Sequence, residues 1–192
     1  PLPRALAKSV NKREKKIMGV ILAAGNSRRM GKDNKLLKNI DGAPLIRNIV
    51  LEITKSDLDS CSIVLGYQSD KVADVIKDLN INLILNPLWK EGQASSLKAA
   101  LNSLTSSYSD LLVMLGDLPG IKSGHINRII EEHLSSENRR SKITIPSFKG
   151  EKGNPVIWGR SFFHDLSNLE GDVGGRVLFD QHPAAINLIE MD

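Results

Sequence analysis

Two short apolar runs, Ile63-Val64-Leu65 and Leu111-Leu112-Val113-Met114-Leu115, limit what this chain can become. Neither alternates apolar with polar residues, as a strand with one wet face would. Each therefore reads as a strand buried on both faces, the pattern of a parallel sheet under helices. With these two runs included, strand candidates lie at 19–24, 62–66, 83–85, 110–115, 142–146, 155–158 and 186–189, with amphipathic stretches near 44–56, 70–79, 94–104, 123–135, 159–168 and 173–180. Strands separated by helices of this length are joined by βαβ crossovers. The expected fold is α/β with three layers, a mostly parallel sheet carrying helices on both faces in a Rossmann-like winding.

Composition narrows the class. The chain has 192 residues, enough for one domain with a sizeable core, and 41% hydrophobic with 25% charged residues is ordinary for a globular protein. Its single cysteine, Cys61, forms no internal disulfide and makes no Cys-based metal site. No apolar run approaches the roughly 20 residues needed to span a bilayer, and no apolar signal segment is visible, so a cytoplasmic setting is expected. The formal charge of +4 resembles that of a nucleic-acid binder until it is located. Residues 1–17 hold six Lys/Arg against Glu14 alone, whereas the remainder carries 20 basic and 21 acidic residues. The basicity belongs to a leader or linker, 1–17, ahead of a domain at 18–192, and neither nucleic acid nor membrane is expected as a partner.

In open α/β sheets, ligands gather outside the C-terminal ends of the strands. After the first strand candidate comes Leu22-Ala23-Ala24-Gly25-Asn26-Ser27-Arg28-Arg29-Met30-Gly31-Lys32-Asp33-Asn34-Lys35. A glycine-rich loop at that place offers backbone N–H groups to phosphates. It is not a Walker loop, because five residues rather than four separate Gly25 from Gly31 and Asp33 stands where a hydroxyl is required. The G-x-G-x-x-G dinucleotide pattern is absent as well. The pattern Leu-Ala-Ala-Gly-x-Ser-x-Arg-Met-Gly-x-x-x-Lys resembles the signature loop of the MobA-like nucleotidyltransferases, in particular the molybdenum cofactor cytidylyltransferases. That resemblance implies a glycosyltransferase-A-like form of the fold. It also implies nucleotide binding by Leu22, Ala23, Ala24, Gly25, Ser27, Arg29, Met30, Gly31 and Lys35, with Arg29 and Lys35 acting catalytically on the triphosphate. Ala24, where guanylyltransferases of the family carry a second glycine, favours CTP over GTP.

Other segments extend the resemblance. Gly116-Asp117-Leu118-Pro119 follows the strongest strand candidate, where a carboxylate can hold Mg²⁺ beside phosphates, though Gly, Asp and Pro also make plain turns. The family places its metal-binding Gly-Asp there, which implies that Asp117 is catalytic, beside Arg29 and Lys35, and holds Mg²⁺. Asn86-Pro87-x-Trp89-x-Glu91-Gly92-Gln93-Ala94-Ser95-Ser96-Leu97 is similar to a family segment that serves the base and ribose, implying roles for Asn86, Gly92, Ser95 and Ser96. Gln93 stands where the family has Met or Leu, and Trp89 is read as a packing residue. Gly66, at the end of the second strand candidate, joins the nucleotide-binding set. Lys152-Gly153-Asn154-Pro155-Val156 and Gly171-Asp172-Val173-Gly174-Gly175-Arg176 resemble the family's acceptor-facing segments. They imply Gly153, Asn154, Pro155, Gly174 and Arg176 at the acceptor and Asp172 at the metal or positioning the acceptor, with helix capping as the plain alternative for Asp172. His125, His133, His164 and His182 show no ligand spacing and are expected to be structural or exposed.

The implied reaction is Mg²⁺-dependent transfer of a nucleotidyl group from CTP, or GTP, to molybdopterin carrying molybdenum, with release of pyrophosphate. A sugar or polyol phosphate acceptor, or a domain that binds nucleotide or cofactor without turnover, stands as the alternative. The Pro-Leu-Pro-Arg leader and Arg160-Ser161-Phe162-Phe163 resemble bifunctional proteins in which a molybdopterin-binding domain precedes the transferase. An upstream domain of that kind, or a molybdoenzyme chaperone, is the expected protein partner.

Overall fold

The first strand of the sheet, β1 (Ile17–Ala23), is buried along its whole length. Its side chains feed two cores in alternation: Ile17, Ile21 and Ala23 into one, Met18, Val20 and Leu22 into the other. This is the pattern that the continuous apolar runs require. The structure, a computed structural model, describes residues 16–26 and 34–191. In chain order its elements are β1, β2 (Asn39–Ile40), β3 (Ala43–Pro44), α1 (Leu45–Thr54), β4 (Ser60–Leu65), α2 (Ser69–Asp74), β5 (Asn82–Leu85) and α3 (Gln93–Asn102). There follow β6 (Asp110–Leu115), α4 (Ser123–Ser135), β7 (Ile143–Phe148), β8 (Glu151–Lys152), β9 (Val156–Gly159), α5 (Phe163–Ser167) and β10 (Ile186–Glu190).

The central sheet runs β10-β7-β9-β6-β1-β4-β5, with β8 attached to β7. The β1, β4, β5 and β6 strands are parallel to one another, β10 is parallel to β7, and β9 runs against both of its neighbours. Helices α1, α2 and α4 cover one face, while α3 and α5 cover the other. Helix α1 buries Leu45, Ile46, Ile49, Val50 and Ile53, an apolar stripe at helical spacing. It sits close to the sheet because Gly19 has no side chain; a Cβ there would overlap Leu58 Cδ1 and lie 3.1 Å from Ile53 Cδ1.

The α/β expectation is met, and the departures are local. The amphipathic stretch at 70–79 is helical only as far as Asp74 and continues in turns that still bring Ile76 and Leu79 to the core. The stretch at 159–168 divides into a 3₁₀ turn, Arg160–Phe162, and α5. The stretch at 173–180 forms only a 3₁₀ turn, Gly175–Leu178. Glycine makes helix costly there, and packing fixes the backbone: a Cβ on Gly175 would come within 2.5 Å of the buried Trp158 ring. Two tight hairpins were not anticipated. Asp41-Gly42 joins β2 to β3 and Lys149-Gly150 joins β7 to β8, all four residues at positive φ. Asp-Gly between apolar residues is the available sequence signal for the first.

A buried polar cluster closes the opposite end of the sheet from the site described below. Asp110 and His133 are both fully buried, with His133 Nε2 facing Asp110 Oδ1 at 3.3 Å. Neither atom completes a well-aligned hydrogen bond at that distance. Arg139 Nη1 donates to Asp110 Oδ2 at 2.6 Å, the Ser109 hydroxyl donates to the same oxygen at 2.7 Å, and His133 Nδ1 meets Thr144 Oγ1 at 2.8 Å. Burial alone would raise the Asp110 carboxyl, but the surrounding His133, Ser109 and Arg139 together hold it below its ordinary value. With no exposure at Asp110, His133 or Thr144, this Ser/His/Asp-like grouping is structural.

Candidate active site

The parallel strands β1, β4, β5 and β6 end together. Beyond their ends, the Gly116 N–H donates to Leu22 O at 2.9 Å, the Tyr67 N–H to Ala24 O at 3.0 Å and the Asn86 N–H to Leu65 O at 2.8 Å. These bonds fix the loops that follow the strands around a cleft of about 660 Å³, a size that suits a small-molecule ligand. Of the residues expected in the site, Leu22, Ala23, Ala24, Gly25, Lys35, Gly92, Ser96, Asp117 and Asp172 line it. Ser27, Arg29, Met30 and Gly31 lie outside the described residues.

Lys35 and Asp117 stand 82 residues apart in sequence, yet Lys35 Nζ donates to Asp117 Oδ2 at 3.2 Å. Lys35 opens a 3₁₀ turn, Lys35–Leu37, that is anchored by buried Leu36 and capped where Asn34 Oδ1 accepts from the Leu36 N–H at 3.0 Å. Asp117 follows β6 by two residues. Both side chains are half exposed toward solvent, 40% and 45%. The cleft therefore carries a mobile-length cation and a hard anionic oxygen on rigid supports.

The opposite wall is the start of α3. Its first amides have no partner within the helix. The loop at 171–172 supplies them: Asp172 Oδ1 accepts from the Gln93 N–H at 3.3 Å and Gly171 O accepts from the Ala94 N–H at 3.2 Å. Asp172 thus caps a helix, as its plain reading allowed, but a helix remote in sequence, and it lines the cleft while doing so. The join is built on glycine. Gly92 holds φ 106° and ψ −175°, a region open in practice only to glycine, and a Cβ on it would meet Gly171 and Asp172 backbone at 2.5–2.6 Å. A Cβ on Gly174 would come within 3.0 Å of the Gln93 carboxamide.

Several expected residues stand behind the wall rather than on it. Asn86 is buried; its Nδ2 donates to Ser95 Oγ at 2.9 Å and Ser96 Oγ at 3.1 Å, and its Oδ1 accepts from the Leu88 N–H at 3.0 Å. It braces the cleft-lining Ser96. Ser95 donates to Gly92 O at 2.8 Å. Gly66 makes room for Trp89, whose Cβ would lie 2.5 Å from an added Cβ, and Trp89 packs tilted against Tyr67 at 5.5 Å. Trp89 is a packing residue, as expected, and a cleft residue too. Gly153, Asn154, Pro155, Gly174 and Arg176 are not on the cleft lining; Arg176 Nη2 donates to Lys152 O at 2.8 Å and the Gly153 N–H to Pro146 O at 2.7 Å. Arg176 thereby ties the 171–176 segment to Lys152, and Gly174 lies against the cleft-lining Gln93. Sequence reasoning gave no role to Asn26, Leu36, Lys90 or Gln93, which line the cleft as well. Lys90 sits 5.6 Å from the Trp89 ring centre.

A divalent cation fits this donor set. Asp117 and Asp172 are the two cleft carboxylates, and no group of three His, Cys, Asp or Glu gathers among the described residues. A site with one or two carboxylates suits Mg²⁺, which keeps waters and takes phosphate oxygens for the rest. Among the described residues no helix is long and apolar enough to cross a membrane.

Residues 19–186 match the model of the MobA-like NTP transferase domain. The bifunctional protein GlmU of Prochlorococcus marinus (strain MIT 9211) is 26% identical over 151 residues, 78% of this chain, so the chain spans about a third of that relative's length, 32%. The nicotine blue oxidoreductase of Paenarthrobacter nicotinovorans is 26% identical over 178 residues, covering 91% of this chain and 86% of that protein. Among solved structures, the Mycobacterium sp. strain JC1 homologue of Mycobacterium tuberculosis rv0371c superposes with a TM-score of 0.80 at 26% identity, covering 93% of this chain and 87% of that one. Relatives with such different names on one fold leave the acceptor to be argued from the site.

Proposed function

The chain belongs to the MobA-like NTP transferase family, and from that premise we propose that it transfers a nucleotidyl group from CTP to the terminal phosphate of the molybdenum cofactor. One observation carries the nucleotidyl-transfer chemistry, while CTP and the molybdenum cofactor rest on the sequence resemblance. Lys35 and Asp117, from loops after two adjacent parallel strands, meet at 3.2 Å in a cleft edged by Leu22, Ala23, Ala24 and Gly25. An ammonium, a carboxylate and a strand-end loop are what a triphosphate with its Mg²⁺ requires.

In this reading, a phosphate oxygen of the acceptor attacks the α-phosphorus. The new P–O bond forms as the bond from the α-phosphorus to the bridging oxygen breaks, and pyrophosphate leaves with that electron pair. The attacking phosphate is already an anion near neutral pH, so no strong general base is needed. Lys35, together with Arg29 from the signature loop, balances charge on the triphosphate. Asp117, assisted by Asp172, would hold Mg²⁺, which supplies charge stabilisation to the phosphates when bound. Asn86 positions Ser96 and the start of α3, while Gly153, Asn154, Pro155, Gly174 and Arg176 are assigned to the acceptor. Catalysis is then positioning and electrostatics, as in phosphoryl transfer generally.

The test is pyrophosphate release with Mg²⁺ and molybdenum cofactor, comparing CTP, GTP, ATP and UTP, with Asp117→Asn as control. Release with CTP that falls by roughly 10²–10³ in the variant is expected, since removal of one charge-stabilising group costs about that much. Preference for GTP overturns the base assignment. Release only with a sugar phosphate or polyol phosphate overturns the acceptor, and silence with every pair overturns the enzymatic reading.

A further inference from the structure

The Lys35–Asp117 contact has a property that neither residue's assigned role explains: the two charges occupy each other. Among the described residues, Asp117 is the only hydrogen-bond partner of Lys35 Nζ, and Lys35 is the only one of the Asp117 carboxylate. A lysine directed at a triphosphate and a carboxylate directed at a cation would not need to touch. The supports differ in a telling way. The Lys35 backbone is pinned by the buried Leu36 and the Asn34 cap, so only its long side chain can move. Asp172, the second cleft carboxylate, is occupied differently, on the Gln93 N–H of α3.

We infer that Lys35 is the counter-ion of Asp117 in the nucleotide-free protein, and that it leaves the carboxylate for the triphosphate as a divalent cation takes its place. This rests on the proposed placing of the metal at Asp117. The ammonium is a compact point charge on a flexible stem, suited to such an exchange. Half-exposed pairs are weak and screened by water, so Lys35 is released at little cost. While present, it competes with the incoming cation in two ways: it neutralises the carboxylate, and it repels the cation as a like charge. The cleft therefore has low affinity for free metal and takes the cation together with the nucleotide, whose phosphates give the displaced ammonium a new partner.

The consequence is a pair of opposite effects from one substitution. In the nucleotide-free protein, Lys35→Met binds Mn²⁺, as a probe for Mg²⁺, about three- to tenfold more tightly than the unchanged protein. The same variant binds CTP·Mn²⁺ more weakly. Lys35→Arg, which keeps the charge, binds free Mn²⁺ as the unchanged protein does. Titration calorimetry and the electron paramagnetic resonance signal of free Mn²⁺ read all of these without turnover, with thermal melting as the check that each variant is folded. Equal or weaker Mn²⁺ binding by Lys35→Met, or none at millimolar metal, overturns the inference. Failure of the metal assignment reads out separately: Asp117→Asn would then leave CTP·Mn²⁺ binding unchanged, whereas the exchange can fail while Asp117→Asn still weakens it.

Discussion

Replacement of Asp110 by alanine is the sharpest test of how this fold is held together, because it strikes a buried charge far from the cleft. Asp110 begins β6 and Asp117 follows its end, so the two carboxylates are separated by roughly 20 Å of strand at about 3.3 Å per residue. The substitution removes the carboxylate shared by Arg139, His133 and Ser109 without touching the cleft. Breaking a buried pair by deleting one partner costs about 3–5 kcal/mol. That is a large share of the roughly 5–15 kcal/mol by which domains are stable. At a urea slope of about 2 kcal/mol per molar, the midpoint should fall by about 1.5–2.5 M.

The sign of the pH dependence checks the cause. The Asp110 carboxyl is held below its ordinary value, so its contribution is fully present above the unfolded value near 3.9 and is lost as pH falls through the lower folded value. The gap in stability between Asp110→Ala and the unchanged protein should therefore be constant near neutrality and shrink only in the acid range below about pH 4. Pyrophosphate release per folded molecule should be unaltered at pH 7. A midpoint shift below about 0.5 M, or a variant of full stability with lost turnover, would refute the structural assignment and reopen the cluster as a functional site.

Gly92→Ala should cost at least about 2 kcal/mol, combining a glycine-only backbone region with overlap against Gly171 and Asp172. Gly150→Ala, at φ 82° with open space around it, should cost only about 1–2 kcal/mol; equal urea midpoints for the two would show that the interlock contributes nothing. Burial pushes the Cys61 thiol up to about 11, so a disulfide reagent at pH 8 should label it about 10² times more slowly in the native protein than in urea. Comparable rates would show that Cys61 is accessible.

The sheet was legible because its strands are buried on both faces, which leaves unbroken apolar runs that no surface strand would carry. All seven strand candidates begin and end within two residues of observed strands. Helices held by packing were less legible. The 173–180 stretch has an apolar period but takes its backbone from the contact of Gly175 with Trp158, 17 residues earlier, and no local propensity records that contact. The β7–β8 hairpin turns on Lys149-Gly150, where only the glycine is a turn signal.

The site divides along the same line. Residues whose place follows from strand order, Leu22 to Gly25 at the end of β1 and Asp117 after β6, fell where the winding put them. Residues whose place depends on two loops meeting did not, because the sequence carries the two halves separately. Asp172 could be read as a metal ligand or as the cap of its own neighbourhood; it caps α3, 79 residues away, because Gly92 and Gly171 let the chains approach within contact distance. Asn86, expected at the nucleotide, braces the wall from behind: its carboxamide bonds to Ser95, Ser96 and the Leu88 N–H. A motif specifies which residues a site needs. Which of them touch the ligand and which hold the others in place depends on hydrogen-bond satisfaction, and both donors of the buried Asn86 carboxamide are already spent on Ser95 and Ser96.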